Sequence, residues 1–353
     1  MPNPKRPTQS DVARLAGVSR ATVSFVLNDA TATIPISDET RQRVLEAARQ
    51  LNYTPDPVAQ MLAHGSSNMI GVFTYEQSFP LERSDFYYEF IQGIERAAAQ
   101  HNFNVLLFTR NSVEGQRRRV YAGGINSLRM AEGTVFLGVS PDKAELARLA
   151  QENYPFVYIG RREVPGVNID WVAMDYIPAA YEATRHLLQL NHRRILYAGV
   201  DNQAEPNQDK LLGVRRAIQE VKNAELTILA EPELANREVF LEAARKTSCT
   251  AIICSYSYTF DLVVDYLQQA RLAIPQDYSV IGLGDVNTLR CWPVAPTFVS
   301  SDRQDAGEQA VHLLVSRIRG EVESPQHKLL PWRLIKGESA VWNTQPDGGE
   351  AER

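Results

Sequence analysis

TQSDVARLAGVSRATVSFVLN (8–28) and SDETRQRVLEAARQLNYTPDPVAQML (37–62) decide how this 353-residue chain is organised. The first run holds two short amphipathic segments joined by Gly17. Thr8 is placed to cap the first, with Asp11 in its opening turn, and Val12, Leu15 and Ala16 recur at helical spacing. Gly17 supplies the backbone freedom a tight turn needs. Ser19 then caps a second helix. Its inward set is Val23, Val26 and Leu27, and its outward set is Arg20, Ala21, Ser24 and Phe25. Thr22 lies at its first turn, and Asn28 and Asp29 end it. A third helix starts at Ser37 and is expected to bury Val44, Leu45, Ala48 and Leu51. Three short helices around one apolar centre make a helix-turn-helix headpiece whose second helix enters a major groove. From spacing alone, a helical bundle without a nucleic-acid role stays open. Charge does not decide it: residues 1–68 carry seven Lys/Arg and six Asp/Glu, the remainder 30 and 36.

PDPVAQMLAHG (55–65) reads as a two-turn helix, with Asp56 and Pro57 at its start and Gly65 as its stop. So short a helix is marginal unless something docks it. In a symmetric dimer, two copies of Leu62 wedge a base step from the minor groove. An ordinary linker fits the same residues.

From Asn68 onward, apolar strands alternate with helices. The strands are IGVFTY (70–75), NVLLFT (104–109), TVFLG (134–138), FVYIG (156–160), VAMD (172–175), RILYAG (194–199), AIICS (251–255), SVIGLGD (279–285) and KLLPWRLI (328–335). Helices are expected at 85–100, 178–190, 208–222, 236–246, 259–271 and 303–319. Continuous apolar strands between helices indicate an α/β class with parallel sheets covered on both faces. Two such halves bind ligands beyond the strand carboxyl ends.

No apolar run reaches the roughly 18 residues of a membrane span. Lys5 and Arg6 are followed by no apolar stretch, so no secretion signal is expected. The three cysteines (249, 254, 291) form no disulfide framework, and a cytoplasmic protein is expected. The six histidines form no metal-binding pattern. No phosphate-cradling or nucleophile-elbow motif occurs, so no cofactor, metal or catalytic residue is expected. The clusters QRRR (116–119) and GRREVPG (160–166) read as solvated faces.

DVARLAGVSRATVSFVLN, SDETRQRVLEAARQLNYTP and the Ala59–Leu62 stretch resemble the headpiece of LacI/GalR transcription regulators. The resemblance runs over nearly the whole chain. It implies a homodimer on pseudo-palindromic double-stranded operator DNA, controlled by a small-molecule effector, with no membrane partner. It divides the chain into a headpiece (1–54), hinge helix and linker (55–67), a first core lobe (68–160 and 298–320), a second (161–297 and 321–343), and a disordered tail (344–353). The core it implies is two-lobed, doubly wound and periplasmic-binding-protein-like. Its DNA-contacting positions fall here on Thr8, Ser19, Arg20, Ala21, Thr22, Ser24, Phe25, Asn28 and Leu62. Phe25 stands where the family usually has Arg. Arg reads guanine through two hydrogen bonds and Phe cannot, so a thymine methyl is the expected contact.

The family's effector lies between the lobes. Four positions that usually hold sugar hydroxyls through polar side chains match Gly160, Gln208, Tyr256 and Gly284, and all four differ. The expected effector set is therefore Tyr75, Phe86, Tyr87, Arg161, Gln208, Tyr256 and Asp285, with Tyr258 nearby. Aromatic faces stack on sugars or planar ligands. A small neutral effector is expected, a carbohydrate by family habit. A solute-binding transport protein and an α/β enzyme are the alternatives. The headpiece argues against the first, and the missing catalytic motif against the second.

Overall fold

The computed structural model describes residues 7–27, 36–54, 66–76, 86–110, 117–199, 204–285 and 292–344. The chain falls into two compact units, Met1–Asn68 and Met69–Arg353.

In the first unit, α1 spans Gln9–Ala16, α2 Arg20–Leu27 and α3 Asp38–Gln50. Each begins on a local cap. The Asp11 amide donates to Thr8 Oγ1 (3.4 Å) while the Thr8 amide donates back to Asp11 Oδ2 (3.0 Å). The Thr22 amide donates to Ser19 Oγ (3.0 Å), and the Thr40 amide to Ser37 Oγ (3.3 Å). Gly17 ends α1 at φ +67°, where its amide returns to the Ala13 carbonyl. Nothing lies near a Cβ added there, so conformation alone demands the glycine. Val12, Val23 and Val44 are fully buried at the centre, with Ala13, Ala16, Val26, Ala47 and Ala48 around them. Leu15 departs from expectation. It is 50% exposed, because α1 turns Val12, Ala13 and Ala16 inward and Leu15 faces Gln42, Arg43 and Glu46 of α3. Leu27, Leu45 and Leu51 are half-buried at the margin.

The second unit runs, in order, β1 (Met69–Thr74), α4 (Tyr88–Gln100), β2 (Asn104–Leu107), a hairpin of β3 (Tyr121–Ala122) and β4 (Ile125–Asn126), β5 (Gly133–Leu137), α5 (Lys143–Gln151), β6 (Phe156–Ile159) and β7 (Asp170–Met174). It continues with α6 (Tyr176–Gln189), β8 (Arg194–Gly199), α7 (Glu205–Gln219), β9 (Glu225–Ala230), α8 (Glu231–Leu234), α9 (Arg237–Lys246), β10 (Ala251–Cys254), α10 (Ser257–Gln269) and β11 (Ser279–Gly282). It closes with β12 (Thr297–Ser301), α11 (Arg303–Ile318), β13 (His327–Leu330) and β14 (Trp332–Ile335).

These strands build two six-stranded sheets, β13-β7-β6-β5-β1-β2 and β14-β12-β11-β10-β8-β9. All neighbours are parallel except β12 and β14. Side chains of the first sheet alternate between two cores. Ile70, Val72 and Val135 meet α4 and α11, while Phe73, Phe136 and Tyr158 meet α5. The second sheet does the same, with α9 and α10 on one face and α6 and α7 on the other. The pair α4–α11 packs backbone against backbone at two glycines. A Cβ on Gly93 would fall 2.0 Å from the Gln304 carbonyl oxygen, and one on Gly307 2.2 Å from that of Phe90.

Three crossings join the lobes, each later in the chain than expected. The first falls at Asp175 rather than near 161, because β7 pairs with β6 (Tyr158 opposite Trp171) and so widens the first sheet. The second falls at Asp302 rather than 297, because β12 pairs with β11 (Ile281 opposite Thr297). The third falls at Pro331 rather than 321. KLLPWRLI is two strands, with Leu330 beside Met174 in one sheet and Trp332 beside Ser301 in the other. A proline without an N–H interrupts the ladder at that point. Strands β9 and β12 and the β3–β4 hairpin were not anticipated.

Candidate functional site

On α2, Arg20 and Ala21 are exposed, and Thr22, Ser24 and Phe25 are half-buried beside them. Val23 and Val26 face the core, so rotation of the helix is fixed. Thr8 and Ser19 are exposed caps, and Ser19 Oγ also lies 2.9 Å from Thr22 Oγ1. An exposed guanidinium, a half-buried hydroxyl, a methyl and a phenyl ring thus share one short helix face. Asn28 and Leu62, with the whole 55–65 stretch, lie outside the described residues.

In the core, the lobes meet along a cleft beside the crossings. Phe86, Asp175, Tyr176, Lys210, Tyr256 and Asp285 line it. The open space left there is about 10 Å³, on the order of one water molecule.

The anticipated residues divide by what they touch. Phe86 and Tyr256 face the cleft. Tyr256 caps α10, its hydroxyl donates to Asn207 Oδ1, and its ring stacks on Tyr258 at 5.6 Å. Tyr87 sits half-buried beside Phe86, and burial, with the Glu76 charge, pushes its hydroxyl pKa well up. Asp285 reaches the cleft but is held from behind. Ser300 Oγ donates to it (2.6 Å), and Arg303 Nε lies 3.7 Å away.

Tyr75, Arg161 and Gln208 do not join that group. Tyr75 is core, 2% exposed, with its ring edge-on to Phe73 at 5.0 Å and its hydroxyl without a hydrogen-bond partner. Arg161 ties the lobes together. Its guanidinium donates twice to Asp209 of α7 (2.9 and 2.7 Å) and once to Glu163. The Asp209 bonds hold its pKa above the ordinary arginine value. Gln208 is half-buried on α7 and lies off the cleft wall. The arginine clusters also depart from expectation: Arg118 and Arg162, read as solvated, are each 4% exposed.

What the sequence reading missed is Lys210. It is 1% exposed on α7, and its Nζ donates to the Ser255 carbonyl at 2.7 Å. The same Nζ lies 3.6 Å from the Tyr256 ring centre and 4.7 Å from that of Tyr176. Burial pulls its pKa down to about 7. Lys210, Val214 and Ala217 fall at i, i+4 and i+7, a spacing that turns a lysine inward and could have flagged it. Glu205 and Asp209, one turn apart on the same helix, bind the other lobe: Lys143 Nζ donates to Glu205 at 2.7 Å, and the Glu163 amide at 3.1 Å. One helix therefore carries both the cleft wall and the tie across it.

Among the described residues, no helix is long and apolar enough to cross a membrane, and no cluster of His, Cys, Asp and Glu is arranged to hold a metal ion.

Residues 8–56 match the family model of bacterial regulatory proteins, lacI family, and residues 184–340 that of the periplasmic binding protein-like domain. The transcriptional regulator CelR of Thermobifida fusca is 26% identical over 345 residues, covering 95% of this chain and 98% of its own. The transcriptional repressor PurR of Erwinia tasmaniensis is 28% identical over 327 residues, covering 90% and 92%. Among solved structures, the lac repressor dimer bound to operator and the anti-inducer ONPF shares the fold at TM-score 0.74 and 23% identity, over 96% of this chain and all of that one. A CelR–cellobiose complex does so at TM-score 0.64 and 23% identity, over 95% of this chain and all of that one. With a helix-turn-helix headpiece matched at one end and a periplasmic-binding-protein-like core behind it, the chain belongs to the lacI family of bacterial transcriptional regulators.

Proposed function

We propose that this regulator is a cytoplasmic repressor, not an enzyme, and that it acts as a homodimer. Its α2 helices read two half-sites about one DNA turn apart, roughly 34–36 Å. Arg20, Ala21, Ser24 and Phe25 meet base edges. Thr8, Ser19 and Thr22 meet phosphates beside them, and Asn28 closes the set. Residues 1–54 form the reader and 55–67 its linker, with Leu62 entering the minor groove. Phe25 sets the operator apart from half-sites read by arginine. The observation that carries this reading is the single outward face of α2, locked by the Val12–Val23–Val44 centre.

The effector enters between the lobes, against Phe86, Tyr87, Tyr256 and Lys210, with Asn207 orienting Tyr256. One solved relative holds cellobiose and another ribose. A tyrosine-lined cleft suits a carbohydrate ring in the same way. Opening and closing of this cleft moves the first lobe, from which the headpiece extends, and so changes the register of the two hinges. Selection of sites from random duplex DNA tests the reading. The expected result is a palindrome whose half-site differs from the usual family sequence and whose binding is lost when residues 1–65 are deleted. No enrichment of any sequence overturns it.

A further inference from the structure

Two buried cations, one from each lobe, stand at or beside this cleft, and neither forms an ion pair among the described residues. Lys210, from the second lobe, meets the Ser255 carbonyl and the faces of Tyr256 and Tyr176. Arg162, from the first, donates to the Gly138 and Arg161 carbonyls (2.7 and 2.6 Å) and lies 4.6 Å from the Tyr158 ring centre. Its Nε is buried with no hydrogen-bond partner. The Arg162 charge acts on the Tyr256 and Tyr176 hydroxyls, the same two rings that flank Lys210, and also on the Glu205 carboxyl, which Lys143 already holds. A buried charge without an ion-pair partner costs free energy until an opposite charge joins it.

The nearby acids are taken. Asp285 is held by Ser300 and Arg303. Glu205 and Asp209 on α7 are paired with Lys143 and Arg161. Asp175 lines the cleft too, without an ion pair to either cation among the described residues; burial and the Asp209 charge raise its carboxyl pKa. Arg317 and Arg161 sit against carboxylates; Lys210 and Arg162 sit against carbonyls and rings.

We propose that the molecule enclosed between the lobes is an anion, a small carboxylate or phosphate compound whose acid group bridges Lys210 and Arg162. This rests on the effector-controlled reading of the cleft and revises its expected neutral ligand. A sugar acid and a sugar phosphate both satisfy it. The tyrosine rings then stack on the ring, and the two cations discriminate against its neutral parent.

The test compares the full chain with Lys210→Met, using inorganic phosphate, D-glucuronate, glucose 6-phosphate and D-glucose as probes at constant ionic strength. Replacing an unpaired buried ammonium by a thioether of similar length leaves the fold at least as stable, so the variant remains informative. Thermal unfolding and calorimetry are expected to show at least one anion stabilising the native chain, with glucose inert. The Lys210→Met chain should bind that anion at least tenfold more weakly, and Lys210→Arg should recover most of the affinity. Glucuronate and glucose 6-phosphate arms separate carboxylate from phosphate. Binding must also weaken about tenfold per pH unit above 7, as the free ammonium loses the proton that the bound form keeps. Equal responses of native and Lys210→Met chains to every anion overturn the inference, as does glucose matching glucuronate. Gel shifts on the selected operator, run in parallel, keep that failure distinct from loss of the regulator reading.

Discussion

The headpiece keeps its charges outside and the core puts several of its own inside. In the first unit, the Arg14–Asp11 pair joins neighbours on one helix, with the arginine side chain 78% exposed. Such a pair contributes little and is screened by salt. In the core, Arg317 donates to Asp170 from two nitrogens (both 2.9 Å) and to the carbonyls of Val322, Glu323 and Ser324, and Asp170 is 6% exposed. Arg161–Asp209 and Lys143–Glu205 bind lobe to lobe. The contrast teaches where each unit stores its specificity. A surface of exposed polar groups can be rewritten for another DNA without unfolding the helices beneath. A buried charge fixes geometry, because misplacing it is costly.

The sharpest way to break this comparison is Arg317→Met. It strands the Asp170 carboxylate, which then keeps the Gln326 amide (2.6 Å) among the described residues. The expected loss is about 3–5 kcal/mol of core stability, read as a lowered urea midpoint at unchanged slope. A loss under about 1 kcal/mol would place this pair with the exposed ones.

Next in size is a pH effect on the second lobe. His192 is buried against Thr250 Oγ1 (2.8 Å) and the Val341 carbonyl (3.0 Å), and burial lowers its pKa from 6.5 to about 4. The unfolded chain takes up a proton below 6.5 that the native ring refuses. Stability from this group is therefore complete above 6.5 and falls as the pH drops towards 4, by up to about 1.4 kcal/mol per unit. Denaturant titrations at pH 7 and pH 5 measure it. His192→Gln should flatten that part of the slope, and an unchanged slope assigns the acid sensitivity elsewhere.

Third is the coupling between lobes. A double-mutant cycle of Arg161→Ala with Asp209→Ala should give an interaction energy of about 1–3 kcal/mol, since two charge-assisted bonds are shared and the side chains are mostly buried. The same cycle on Arg14 and Asp11 should give no more than an ordinary exposed pair.

These differences also explain what was legible in the sequence. Every headpiece cap spans three residues, Thr8 to Asp11, Ser19 to Thr22 and Ser37 to Thr40, so a short window contains its cause. The core strands were readable as apolar runs. Their sheet was not, because a run such as KLLPWRLI does not say that Leu330 will lie beside Met174 and Trp332 beside Ser301. The cleft was the least readable region. Gln208 and Lys210 are two positions apart on one helix; the spacing of Lys210 with Val214 and Ala217 shows the lysine turned inward, but not that it meets the Ser255 carbonyl and the Tyr256 ring. Arg161 and Arg162 look alike in the chain, yet one meets Asp209 across the lobes and the other meets carbonyls. Partners that lie tens of residues away leave no mark beside the residue they satisfy.

The smallest expected stability effect belongs to Arg20→Ala, and it tests the other side of the comparison. Arg20 is exposed at the start of α2, so unfolding should change by less than about 0.5 kcal/mol. DNA binding should change more. If Arg20 reads a base edge, the variant loses about 1–3 kcal/mol of discrimination at one position of each half-site and keeps the rest. Affinities for the selected operator and for single-base variants across the half-site measure this. A loss spread evenly over all sequences, with a shallower salt dependence, would make Arg20 a phosphate contact and leave base reading to Ala21, Ser24 and Phe25. Either result leaves the helix folded, as expected of a unit whose specificity sits on its surface.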